Sequence, residues 1–225
     1  AQADAVLVSV PPNASGDPVL TVCGDALAAR MESIVYLSTV GVYGNHNGDW
    51  VDEDSECHPS DGRNRQRLAA ERAWQDHGHR SGAPVAILRL AGIYGPGRNA
   101  LENVRRGRAR HVVKPGQVFN RIHVADIAQA IEAAFDRRVS GVFNLADDEP
   151  TAAGDPIEFA AKLLGVEPPP KIPFEQARTT MSEMAASFYA DVKRVRNAKL
   201  KSVLGVTLRY PSYREGLSTL FSDQA

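Results

Sequence analysis

The stretch Tyr36-Leu-Ser-Thr-Val-Gly-Val-Tyr-Gly44 decides the fold. It is the end of an apolar run, residues 33–38, that closes on a hydroxyl pair and then turns through two glycines. A short, nearly continuous apolar run of this kind suits a strand covered on both faces. Working outward, residues 5–10, 85–90 and 141–145 are runs of the same type. Between them, residues 19–30, 64–77 and 124–135 carry apolar side chains at helical spacing. Leu68, Ala69, Ala73 and Trp74 form the expected inner face of the second helix; Val124, Ile127, Ala128, Ile131 and Phe135 form that of the third. Alternating strands and helices predict an α/β fold with a mainly parallel sheet covered by helices on both sides.

The last third reads differently. Asp155-Pro-Ile-Glu158 has the form of a helix start, with Asp155 as cap, and that helix is expected to stop at Gly165. Pro168-Pro-Pro170 is a stiff connector, and residues 191–204 and 212–221 are expected helices. Together they suggest a small, mainly helical lobe on the sheet. The predicted division is 1–96 plus 119–148 for the sheet portion and 97–118 plus 149–225 for the lobe.

Bulk properties narrow the function. The chain has 225 residues, 43% hydrophobic and 24% charged, with a formal net charge of −1. That balance gives no global attraction for nucleic acid or anionic lipid, and no apolar run reaches a membrane span. Cys23 and Cys57 make neither a disulfide framework nor a zinc site, and the histidines lack metal-ligand spacing, so no metal is expected. A reducing cytoplasm is the expected address. The basic run Arg105-Arg-Gly-Arg-Ala-Arg110 lacks interleaved aromatics and reads as a solvated helix end or a site for a phosphate group. His77-Gly-His79 reads as a solvated helix exit, and Asp147-Asp-Glu149 as a turn.

Several segments in order resemble the extended short-chain dehydrogenase/reductase family, the NAD-dependent epimerase/dehydratase group. They are the Ser-Thr strand end with Val-Tyr-Gly44; Asp52-Glu53; Arg89-Leu-Ala-Gly-Ile-Tyr-Gly-Pro-Gly97; Asn120-Arg-Ile-His-Val-Ala-Asp-Ile-Ala128; Gly141-Val-Phe-Asn-Leu-Ala146; and Leu204-Gly205 with Tyr210-Pro and Glu215-Gly-Leu217. The resemblance implies a Rossmann-like, doubly wound sheet with ligands beyond the carboxyl ends of its strands.

Two departures from that family bear on chemistry. The family opens with a strand, a Gly-rich turn and a helix that cradle the cofactor pyrophosphate, and this sequence has no such unit. Gly92-Ile-Tyr-Gly-Pro-Gly97 imitates it, but Pro96 interrupts the pattern. By the resemblance the first strand here matches the fourth of the family's sheet, so upstream sequence is expected beyond this chain. The family's Tyr-x-x-x-Lys pair, a tyrosine acid/base assisted by a lysine, falls on Arg63 and Arg67. Arginine cannot shuttle protons near neutral pH. These arginines either bind a phosphate or carboxylate or belong to a solvated basic face. By the resemblance the Asp-Glu pair of sugar-nucleotide dehydratases falls on Val40 and Gly41, which can do no acid/base work, so dehydration of that type is not expected.

The resemblance implies the following site. Thr39, Arg63, Arg67 and Tyr43 would stand at the reacting centre. Ser9, Val10, Pro11, Ser38, Ala91, Gly92 and Ile93 would lie along NAD or NADP, and Tyr94, Arg98, Asn120 and Arg121 would meet the substrate. Thr39 would orient a substrate oxygen, while His123 orients the turn into its helix. The expected activity is a redox or epimerase-like step at a carbinol or carbonyl carbon of a small, nucleotide-linked or acylated substrate. The alternative is an NAD(P)-binding sensor or scaffold without turnover. A homodimer through 19–30 and 64–77 is a further implication of the family.

Overall fold

A computed structural model describes residues 3–28 and 31–223. In chain order the elements begin with β1 (Ala5–Val8), α1 (Pro18–Ala28), β2 (Ser33–Thr39), a 3-10 turn (Val40–Tyr43), β3 (Trp50–Val51), α2 (Gly62–Ser81), β4 (Val85–Leu90) and β5 (Gly92–Tyr94). They continue with α3 (Ala100–Arg105), β6 (His111–Val113), β7 (Arg121–His123), α4 (Val124–Arg137), β8 (Gly141–Leu145) and α5 (Asp155–Leu164). The last are β9 (Lys171–Pro173), α6 (Phe174–Arg178), α7 (Glu183–Ser187), β10 (Arg194–Val195), α8 (Ala198–Ser202) and α9 (Tyr213–Ser222).

The central sheet has the order β1-β2-β4-β8, with every pairing parallel. The strands therefore end on one rim, where Thr39 pairs with Leu90 and Leu90 with Leu145. Alternation along each strand divides the core. On one face Val8, Ile34, Tyr36, Val85 and Ile87 pack with Ala70 and Trp74 of α2, and Val19 and Leu20 of α1 rest against them. On the other, Val35, Leu88, Phe143 and Leu145 pack with Ile127, Ala130 and Ala134 of α4 and with Leu200 and Leu204. A third cluster joins Leu101, Ala160, Tyr213, Leu217 and Leu220 from α3, α5 and α9. This is the parallel architecture expected from the alternation of elements, and the Rossmann-like sheet that the resemblance implied.

Polar side chains revise the helix faces. In α2 the buried residues are Ala70, Glu71, Trp74 and His77, while Ala69 is exposed. The stripe is rotated because Glu71 turns inward to meet Arg89. His77 is correspondingly buried against Trp74 rather than solvated. In α4, Val124 and Ala128 are exposed and Asp126 is buried, its carboxylate accepting from the amides of Arg209 and Tyr210 at 2.7 and 3.1 Å. Arg30, the expected end of the first helix, lies outside the described residues.

The later elements differ more. Gly154, not Asp155, is the α5 N-cap, and Asp155 instead accepts from the amide of Ala152. Gly165 does terminate that helix, at φ +67°, in the left-handed region glycine tolerates. Residues 191–204 do not form one helix: β10 pairs with β3 before the short α8 begins. Backbone bonds from His46 and Gly48 to the Val192 carbonyl hold that segment extended. Among the described residues, no helix is long and apolar enough to cross a membrane, and no acidic, histidine or cysteine cluster has metal-binding geometry.

Candidate functional site

The strand ends make a rim with two layers. The upper layer is open: Ser9, Val10 and Pro11 after β1 are exposed, as is Gly92 after β4, with Ile93 half-buried beside it. Thr39 ends β2 half-buried, and its Oγ1 accepts from the Gly41 amide at 3.0 Å. That bond caps the 3-10 turn and uses a lone pair only, so the hydroxyl hydrogen remains available to an acceptor above the rim. At Gly44 (φ +69°) the turn closes, and an added Cβ would stand 1.8 Å from the His58 carbonyl oxygen. No side chain fits there.

The lower layer is a buried polar network. Ser38 donates its hydroxyl to Glu71, and the Arg89 guanidinium meets the same carboxylate at 2.8 Å. Arg89 also lies 4.7 Å from the Tyr43 ring centre. The Tyr43 hydroxyl donates to Asn144 at 2.7 Å, and the Asn144 amide donates to Glu53 at 2.8 Å. Tyr43 has no exposed surface, and burial pushes its phenol up to about 12. The structure thus places Tyr43 and Ser38 beneath the rim. Ala91 is buried too, its amide donating to the Leu145 carbonyl.

Arg63 and Arg67 lie one helical turn apart on α2. Arg63 is exposed and makes no hydrogen bond or ion pair among the described residues. Arg67 is half-buried and donates to the Leu37 carbonyl at 2.7 Å and to the Tyr36 hydroxyl at 3.3 Å. It braces the strand end below Thr39.

Most of the expected substrate residues are structurally engaged. Tyr94 is buried, its hydroxyl donating to the Ser212 carbonyl at 3.1 Å and its phenol held well above the ordinary range by burial. Asn120 accepts from the Val195 amide at 2.8 Å and donates to the Lys193 carbonyl at 3.0 Å. Arg121 donates to Thr151 Oγ1 at 2.6 Å and to two carbonyls. Arg98 is exposed in a tight turn bonded to Gly95. His123 caps α4, its Nδ1 accepting from the Ala125 amide at 3.1 Å, while burial lowers its basicity.

Two residues near the rim escaped sequence reasoning. Asp147, two positions beyond β8, is buried with Oδ2 unpartnered, and burial pushes its carboxyl up to about 8. Lys193 is buried with its ammonium on the Gly44 carbonyl at 2.9 Å, and burial lowers its pKa. Local composition around Asp147 has the form of an ordinary turn, and Lys193 lies in a segment with a helical pattern. Neither position carries a local signal of burial.

Comparison with known proteins supplies the relationship. The profile of the NAD dependent epimerase/dehydratase family matches residues 16–146. Protein YeeZ of Escherichia coli is 31% identical over 179 residues, covering 74% of this chain and 61% of its own length. A 3-diazoavenalumate denitrifying reductase of a Streptomyces species is 26% identical over 137 residues, or 58% of this chain and 45% of that protein. The chain therefore spans roughly half of the curated relatives it matches. A solved, functionally unknown conserved protein from Silicibacter pomeroyi is 46% identical with a TM-score of 0.91, covering 97% of this chain and 77% of that one.

Proposed function

The chain belongs to the NAD dependent epimerase/dehydratase family, and from that premise we propose that it binds NAD or NADP and acts at a carbinol or carbonyl carbon of a small substrate. The observation that carries the reading is Thr39. Its hydroxyl stands at the end of a central parallel strand with an unspent hydrogen, where open α/β sheets receive their ligands.

The open residues of the rim fit the nicotinamide end of a dinucleotide. Gly92 is exposed and has no side chain, so a planar ring can approach its backbone, and Ser9, Val10 and Pro11 offer an unobstructed surface alongside. Arg63, in the first turn of α2, supplies an exposed cation without a partner among the described residues, suited to an anionic group of cofactor or substrate. The residues present offer no Gly-rich cradle for the pyrophosphate. When bound, NAD(P) supplies hydride transfer to or from carbon. The chain's part is to hold the substrate oxygen at Thr39 while Arg67 keeps the strand end rigid.

A second reading, a cofactor-binding sensor without turnover, is favoured by the same site. Both positions of the Tyr-x-x-x-Lys pair are arginine, and the Tyr43 and Tyr94 phenols are buried and pushed above their ordinary range. Neither suits proton transfer near neutral pH. The test is oxidation of NADPH and NADH across a panel of carbonyl and sugar-nucleotide substrates, for the protein and for Thr39→Val. Steady turnover that Thr39→Val lowers at least tenfold supports the enzyme. Cofactor binding with no turnover on any substrate selects the sensor.

A further inference from the structure

We propose that Lys193 is an anion-recognising residue beside the strand-end rim and that it receives a carboxylate or phosphate oxygen of the substrate. This rests on the reading of the strand-end rim as a ligand site and goes beyond it by naming a residue and a ligand chemistry.

Position is the first argument. The Lys193 ammonium donates to the carbonyl of Gly44, at the far end of the 3-10 turn that Thr39 caps. The Lys193 carbonyl accepts from Asn120, and the Asn120 carbonyl accepts from the amide of Gly92, the open residue after β4. Lys193 is therefore tied on one side to the turn that follows β2 and on the other to the loop that follows β4. Those are the two strand ends between which Thr39 and Gly92 face the rim.

Unfinished electrostatics is the second. Lys193 is 7% exposed, and Gly44 is its ammonium's only hydrogen-bond partner among the described residues. An ammonium has three donors, so two have no protein partner among the described residues. No carboxylate forms an ion pair with it among the described residues. Asp191, whose charge opposes the cost of burial, is half-buried and accepts from Ser60 at 3.0 Å. Structural buried cations come paired, as Arg89 is with Glu71. A buried cation that lacks a counter-charge is completed by a ligand that carries one. An anionic oxygen also restores the charged form that burial disfavours.

The test follows the lysine itself. The sequence holds six lysines, so a full chain labelled at lysine Cε gives a sparse NMR spectrum. The Lys193 signal is assigned by its loss in Lys193→Met; Lys193→Arg serves the same purpose while keeping a cation, should the first variant fail to fold. Inorganic phosphate and malonate are then titrated separately into the wild-type chain. The expected result is a saturable shift of the Lys193 signal with at least one anion, with linear, smaller changes at the other lysines. The responding anion identifies the source of the oxygen. A Lys193 signal unmoved by both anions overturns the proposal. A parallel NADH and NADPH titration separates the two failures. If cofactor binds while Lys193 stays silent, only the Lys193 assignment falls. If Lys193 responds while neither cofactor binds, the cofactor reading falls and the anion site stands.

Discussion

The two layers of the rim use similar residues for opposite ends. Beneath it, Ser38 and Arg89 bond Glu71, Tyr43 bonds Asn144, and all five are buried, with Arg89 Nη1 the one side-chain atom among them left without a partner. Elsewhere at the rim and on the neighbouring start of α2, Gly92 and Arg63 are exposed and Thr39 is half-buried, and the last two keep unspent donors. A serine, a tyrosine and an arginine near a strand end have the makings of catalysis in either layer. Burial separates them: the lower groups are enclosed among protein partners, while Thr39 and Arg63 reach solvent with donors free for a ligand.

The sharpest way to break this distinction is to unpair the lower layer. Glu71→Gln leaves the Arg89 guanidinium buried without its counter-charge, and loss of one partner of a buried pair costs about 3–5 kcal/mol. Urea denaturation should show a loss of that size. A change below about 1 kcal/mol would mean that water reaches the pair and that the lower layer is not sealed.

Asp147 comes next. With its carboxyl raised from 3.8 to about 8 by burial, the folded state holds a proton that the unfolded state releases. Stability attributable to this group is therefore greatest below pH 4 and falls as pH climbs from about 4 to about 8. Asp147→Asn should flatten that part of the pH–stability curve and raise stability at pH 8 by about 2 kcal/mol or more. An unchanged slope would place Asp147 in contact with water or a cation.

Smaller effects sharpen the comparison further. Tyr43→Phe removes the bond to Asn144 and should cost about 1–2 kcal/mol of stability, since the Asn144 oxygen stays buried. Cofactor binding should be unaffected. Arg63→Ala should do the reverse: stability within about 0.5 kcal/mol of the parent, as for other exposed substitutions, with cofactor or substrate affinity several-fold weaker. If Tyr43→Phe weakens binding and Arg63→Ala does not, the two layers have been assigned the wrong way round.

Much of the sheet was legible because its strands are short apolar runs ended by turn residues. The β4 and β8 bounds match those expected, and β2 exceeds its expectation by one residue. Helix faces were less legible, because period alone treats every charged residue as outward. Glu71, Asp126 and His77 break that rule, each drawn inside by a specific partner or by packing on Trp74. The segment 191–204 was misjudged for a related reason. Its apolar spacing is helical, but pairing with β3 and bonds to the β2–β3 turn override local preference. In the candidate site, Thr39 was visible from its place at a strand end. Lys193 was not, since its meaning arises from contact with a residue 149 positions away.

The central claim is that the open rim receives a nicotinamide cofactor. Its most direct test is a fluorescence titration of the purified 225-residue chain with NADPH and NADH. Saturable binding of at least one, weakened by Arg63→Ala and unchanged by Tyr43→Phe, is the predicted result. A folded, monodisperse sample that binds neither would contradict it.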